Sequence, residues 1–162
     1  MSVPAAVVAA GAWLAAVSAA LVVADLRTHR LPDRLVGAAA AGVLVLLTVA
    51  ALTTGQWTDL GRAVLAAAAV AAGSVLLALP RVTGLGLGDV KLAGVLGLWL
   101  GWFGWGVVAT GLLAAFVLGG AWTTARLLIR RARHEDAVPL GPWLVLGAAL
   151  ATVAHLAGLV PA

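Results

Sequence analysis

Residues 92–125 read LAGVLGLWLGWFGWGVVATGLLAAFVLGGAWTTA, and no charge falls between Lys91 and Arg126. At about 1.5 Å per residue, one helix of this length overruns a bilayer core of about 30 Å yet falls short of two full crossings. Gly101, Gly104 and Gly106 alternate with Trp99, Trp102 and Trp105 in its middle. Glycine tolerates a tight reversal and tryptophan favours the membrane interface, so this point is expected to divide a short fourth helix from a fifth.

Working outward, polar interruptions divide the rest of the chain into further apolar runs. The six expected spans are Val3–Ala24, Leu35–Thr54, Gly61–Pro80, Val90–Trp102, Gly106–Ile129 and Leu140–Val160. Of the 162 residues, 64% are hydrophobic and 10% charged, against about 25% charged in soluble domains. The fold class is therefore an all-α polytopic membrane protein, and residues 1–162 are expected to form a single transmembrane domain. No Lys or Arg precedes the first run, so it reads as a retained span rather than a cleaved signal.

Charge orients the spans. Arg27, Arg30, Arg34, Arg81, Lys91, Arg126, Arg130, Arg131 and Arg133 fall beside the loops after spans one, three and five, and only Arg62 falls on the other side. Short basic loops stay cytoplasmic, which places both termini outside. The net charge of +4 thus orients the chain against the lipid bilayer; it forms no stripe with stacking aromatics, so nucleic-acid binding is not expected. Cysteine is absent, which excludes disulfides, thiolate metal sites and a thiol nucleophile. His29, His134 and His155 are scattered, and no metal or cofactor is expected.

Asp59, Glu135 and Asp136 read as solvated loop charges. Asp25 ends the first apolar run and Asp89 immediately precedes the fourth. The intervening hairpin returns the chain to the same side, so both carboxyls belong to the cytoplasmic edge at similar depth. Two carboxyls held close and partly out of water cannot both ionise, and one pKa rises. The ionised member can then take a proton from water while the other donates one. Topology alone favours a plainer alternative, in which each Asp pairs with Arg27 or Lys91 or sits in water. The run Gly84-Leu85-Gly86-Leu87-Gly88-Asp89 shifts the balance: glycines beside an acid leave backbone free to approach an extended peptide and pair with it. Lys91 reads equally as an interface anchor.

Three stretches resemble the type IV prepilin peptidases, within the GxGD-type intramembrane aspartyl proteases. Gly86-Leu87-Gly88-Asp89-Val90-Lys91-Leu92 is similar to the GxGD motif. Asp25-Leu26-Arg27-Thr28-His29-Arg30-Leu31-Pro32-Asp33 resembles the family's other aspartate motif, and Val138-Pro139-Leu140-Gly141-Pro142-Trp143 its proline–glycine–proline approach to the last helix. The resemblance spans about residues 14–150. It implies a membrane aspartic endopeptidase that removes a short basic leader, typically after a glycine, from prepilin or pseudopilin precursors at the cytoplasmic face of a bacterial inner membrane. Asp25 and Asp89 would be catalytic, Gly86, Gly88, Lys91 and Pro32 would support the motifs, and Pro139, Gly141 and Pro142 would lie near substrate. It also implies the short, protease-only form, without the cysteine-bearing domain of members that N-methylate their products. The competing function is a non-enzymatic scaffold or a small ion- or proton-coupled transporter using the same acids. That alternative expects the acids near mid-membrane and leaves Gly86, Gly88 and Pro32 without a role. Oligomeric state is not legible.

Overall fold

The computed structural model describes residues 3–28, 32–79, 86–129 and 140–161, with side chains 26–28 and 127 omitted. Among these residues there are six helices and no strand: α1 Ala5–Thr28, α2 Asp33–Thr54, α3 Trp57–Ala78, α4 Leu87–Phe103, α5 Trp105–Leu128 and α6 Gly141–Leu156. The chain is an all-α, multi-pass membrane protein. Helices α1, α2, α3 and α5 are each long and apolar enough to cross a bilayer.

Helix α4 forms the centre of the bundle and packs against α2, α3, α5 and α6. It is apolar on every side, as a helix enclosed by others must be, and from Leu92 to Phe103 all but Gly94 are buried. Its tightest seam is with α3. A Cβ on Gly97 would lie 3.0 Å from the Ala66 carbonyl oxygen, and one on Gly101 would lie 2.5 Å from Ala66 Cβ. Lipid tails are as apolar as Leu, so helix pairs in a membrane gain from close backbone approach, which these glycines permit. Gly147 does the same between α6 and α5, where an added Cβ would meet the Gly111 carbonyl oxygen at 2.5 Å.

The expected reversal occurs, and it is shorter than expected. Gly104 alone links α4 to α5, at φ 143, while Gly101 and Gly106 lie inside the helices. Of the three tryptophans at this point, Trp99 and Trp102 are buried within the bundle and Trp105 is exposed. Burial of Trp99 is compatible with its polar N–H because Nε1 donates to Thr152 Oγ1 at 2.9 Å. Helix α3 begins four residues before the expected Gly61. Its first turn accommodates charge because Asp59 pairs with Arg62 at 2.9 Å.

Successive helices reverse direction, so the end of α1 and the starts of α2, α4 and α6 share one edge. Lys91 of α4 reaches Asp33 of α2 there. At the opposite edge, Arg62 near the start of α3 reaches carbonyls at the end of α4.

Candidate active site

Asp25 sits in the last turn of α1 and is 6% exposed. Asp89 sits in the first turn of α4, ahead of the apolar segment that begins at Val90, and is half-buried. Gly86 precedes the helix with extended backbone, φ −75 and ψ 151, and its carbonyl accepts from Asp89 N at 3.1 Å. A backbone hydrogen bond at Gly86 in turn favours the ionised Asp89 carboxyl, which is the half of a capping box in which the third helical residue reaches back to the helix start. The glycine of the motif thus ties the acid to the helix start.

The two acids meet at a third element. Gly141 opens α6 and is buried. A Cβ placed on it would lie 2.9 Å from Asp25 Oδ2 and 3.6 Å from Asp89 Oδ1. The two carboxyl oxygens are therefore separated by no more than the sum of those distances. Any side chain at position 141 would crowd both carboxyls. Residues distant in sequence, on α1, α4 and α6, thus enclose one small volume at one edge of the bundle. Burial, and then the neighbouring Asp25 carboxyl, push Asp89 up to about 6, against the backbone hydrogen bond that favours its charged form. A carboxyl with that value exchanges protons near neutral pH, as general acid–base chemistry requires.

The other expected residues are distributed as follows. Lys91 is exposed, and its Nζ lies 2.7 Å from Asp33 Oδ1, so its ion pair is with Asp33 rather than Asp89. Pro32 precedes α2, and its carbonyl accepts from Leu35 N at 3.0 Å, so it starts that helix. Pro142 occupies the first turn of α6 and is half-buried. Gly88 lies within the first turn of α4, so the open backbone expected beside the acid reaches only to Gly86. Pro139, Gly84 and Leu85 lie outside the described residues, as does the Arg27 side chain. The direct approach of Gly141 to both acids was not legible in sequence beyond its place between two prolines.

Residues 6–124 match the type IV leader peptidase family. The chain belongs to that family. A prepilin leader peptidase/N-methyltransferase of Aeromonas salmonicida is 32% identical over 132 residues, covering 78% of this chain and 43% of that protein. One of the same description from Burkholderia pseudomallei is 40% identical over 68 residues, covering 42% of this chain and 21% of that protein. The chain thus spans less than half the length of these curated relatives. No solved structure is a significant match. The matched residues include Asp25 and Asp89, while Gly141 lies beyond them.

Proposed function

We propose that this chain is an aspartic endopeptidase that removes the short basic leader from pilin-like precursors, with Asp25 and Asp89 activating water. The observation that carries the reading is the convergence of the two carboxyls on Gly141, from helices whose acids are far apart in sequence. Sharing one proton, the pair can run both halves of amide hydrolysis. The ionised carboxyl takes a proton from water, and the resulting hydroxyl adds to the scissile carbonyl carbon. The protonated carboxyl donates to the carbonyl oxygen. As the C–N bond breaks, the amine leaves with the proton first taken from water, and a hydroxyl of the tetrahedral intermediate returns its proton to the other carboxylate, which leaves a carboxylic acid product and restores the one-proton pair. No covalent enzyme intermediate is involved.

The excess of Lys and Arg at the same edge supports a cytoplasmic site in a bacterial inner membrane. Location of the acids at a bundle edge favours proteolysis over the transporter reading, which calls for acids along a mid-membrane path. The test is leader removal by the purified chain in liposomes, using a precursor with a basic leader ending in Gly. Mass spectrometry of the shortened product should place the cut after that Gly. An uncut precursor, or cutting that persists in Asp25→Asn, would overturn the proposal.

A further inference from the structure

An apolar groove of about 870 Å³ runs between α1 and α6, with α4 as its floor. Its walls lead to the acid pair. On α1 the lining includes Val7, Gly11, Leu14, Ser18 and Val22, spaced three or four apart, and the next step is Asp25. On α4 it includes Leu96, Trp99 and Phe103, and Asp89 lies two turns before Leu96 on the same stripe. On α6 it includes Val145, Ala148, Thr152 and Leu156, and Gly141 lies one turn before Val145. The three residues that meet at the acid pair are thus the continuations of the three stripes that line the groove.

Resting on the peptidase reading, we propose that the substrate carries an apolar transmembrane helix after its leader and that this groove seats that helix, with the scissile bond at its Asp25–Asp89 end. Two observations favour a helix over lipid. The exposed walls are small where a helix backbone must come close, at Ala15 and Ala19 on α1 and Ala149 on α6. Ser18 lines the groove, is only 3% exposed, and its Oγ has no hydrogen-bond partner among the described residues. A hydroxyl offers a donor and two lone pairs, which a polar group on an incoming helix can use and an acyl chain cannot. Lining residues from Val3 to Val23 extend along most of a bilayer-spanning helix, so the occupant is a full span rather than a short peptide. Its register follows: Ser18, seven residues from Asp25, faces a substrate residue about 10 Å beyond the scissile bond.

The chain has no cysteine, so single cysteines can map the contact. Ala15→Cys and Ala149→Cys lie in the groove, and Ala68→Cys is an exposed control on α3. Each is combined with Asp89→Asn, so that substrate persists, and mixed in liposomes with a synthetic precursor. That precursor has a basic leader ending in Gly, an apolar helix of about 20 residues and one cysteine about nine residues past the cut. Disulfides should form with Ala15→Cys and Ala149→Cys and not with Ala68→Cys. Equal capture at all three positions, or capture at none, overturns the proposal. So does disulfide formation between two copies of the enzyme at Ala15→Cys that excludes the precursor, or capture of a photoactivatable lipid there that precursor does not displace. Cleavage by the unmodified chain without groove capture would leave the peptidase reading standing and remove the groove. Groove capture with no cleavage would do the reverse.

Discussion

The two edges of the bundle handle charge in opposite ways. At the edge formed by the start of α3 and the end of α4, Arg62 donates through Nε to the Gly101 carbonyl at 2.9 Å and through Nη2 to the Trp102 carbonyl at 2.7 Å. It also pairs with Asp59, so one cation satisfies the carbonyl end of a helix and a carboxylate together. At the other edge two carboxyls are brought together around a glycine, with one of them buried. Like charges in a half-dry site cost stability, and folds retain such costs at sites of function. The Arg62 edge holds the bundle together, and the acid edge is where the bundle is proposed to act.

The largest effect is expected from removing either acid. Asp25→Asn and Asp89→Asn should each lower kcat for leader removal by at least about a thousandfold, and the double variant should be little worse, because the two act as a unit. Protein level and insertion should be unchanged, since Asn is similar in size and polar. The pH profile of the unmodified chain tests the same pair. Asp89 is protonated below about 6 and ionised above it. The pair must hold one proton, so kcat/KM should fall as pH rises beyond that value and fall again in acid, where both carboxyls are protonated. A flat profile from pH 5 to 8 would count against the shared proton.

Next in size is Gly141→Ala. The new methyl would lie 2.9 Å from Asp25 Oδ2, so the acid must move or the helices must part. Displacing a reacting group by a fraction of an ångström should cost about ten- to a hundredfold in kcat. Gly37→Ala, also near this edge on α2, is the control, because a Cβ there meets nothing within 4 Å. It should keep full activity and gain up to about 1 kcal/mol of stability from helix propensity. Equal loss in both variants would mean that Gly141 matters only as a helical residue.

How much of this was legible follows from what each signal measures. The spans were legible because hydropathy and run length are local quantities, and α2 ends at Thr54 where the composition changes. The shared edge of Asp25 and Asp89 was legible because span parity puts both acids there. Burial of Trp99 and Trp102 was not, since a tryptophan beside glycine reads as interfacial until α4 is known to be central. The meeting of Gly141 with both acids depends on how three helices pack, and no local pattern contains it. The groove is harder still, because it is defined by the space between α1 and α6, whereas sequence periodicity reports only which faces are apolar.

A smaller effect, of a different kind, is expected at the opposite edge. Arg62→Leu leaves two carbonyls at the end of α4 and the Asp59 carboxylate without their cation. Losing charge-assisted hydrogen bonds should cost about 1–3 kcal/mol, seen as earlier unfolding in a denaturing-detergent titration. Activity per folded molecule should be unchanged, because Arg62 meets α4 at Gly101 and Trp102, about 18 Å along that helix from Asp89. A large drop in kcat with normal stability would show that the two edges are coupled and dissolve the contrast between them.

The smallest effect should come from an exposed ion pair at the same edge as the acids. Lys91 Nζ and Asp33 Oδ1 are 2.7 Å apart, and their side chains are 52% and 73% exposed. An exposed pair gains little Coulomb energy in water and is worth at most about 1 kcal/mol. Asp33→Asn also removes a favourable charge from the first turn of α2, a loss of about the same size. Asp33→Asn and Lys91→Gln should therefore each keep most leader-removing activity, and in the double variant the two small stability losses should overlap because they break one contact. Salt should weaken the contact in the unmodified chain and change neither single variant. Asp33 also sets the sharpest limit on the assignment of the pair, since it is an acid on the same edge, at the end of the Asp25 motif. Its carboxyl is committed to Lys91 and open to water, whereas that of Asp25 is buried against Gly141. If Asp33→Asn lost as much cleavage as Asp25→Asn at equal expression, burial beside Gly141 would not distinguish the working acid from its neighbour, and the Asp25–Asp89 assignment would fall.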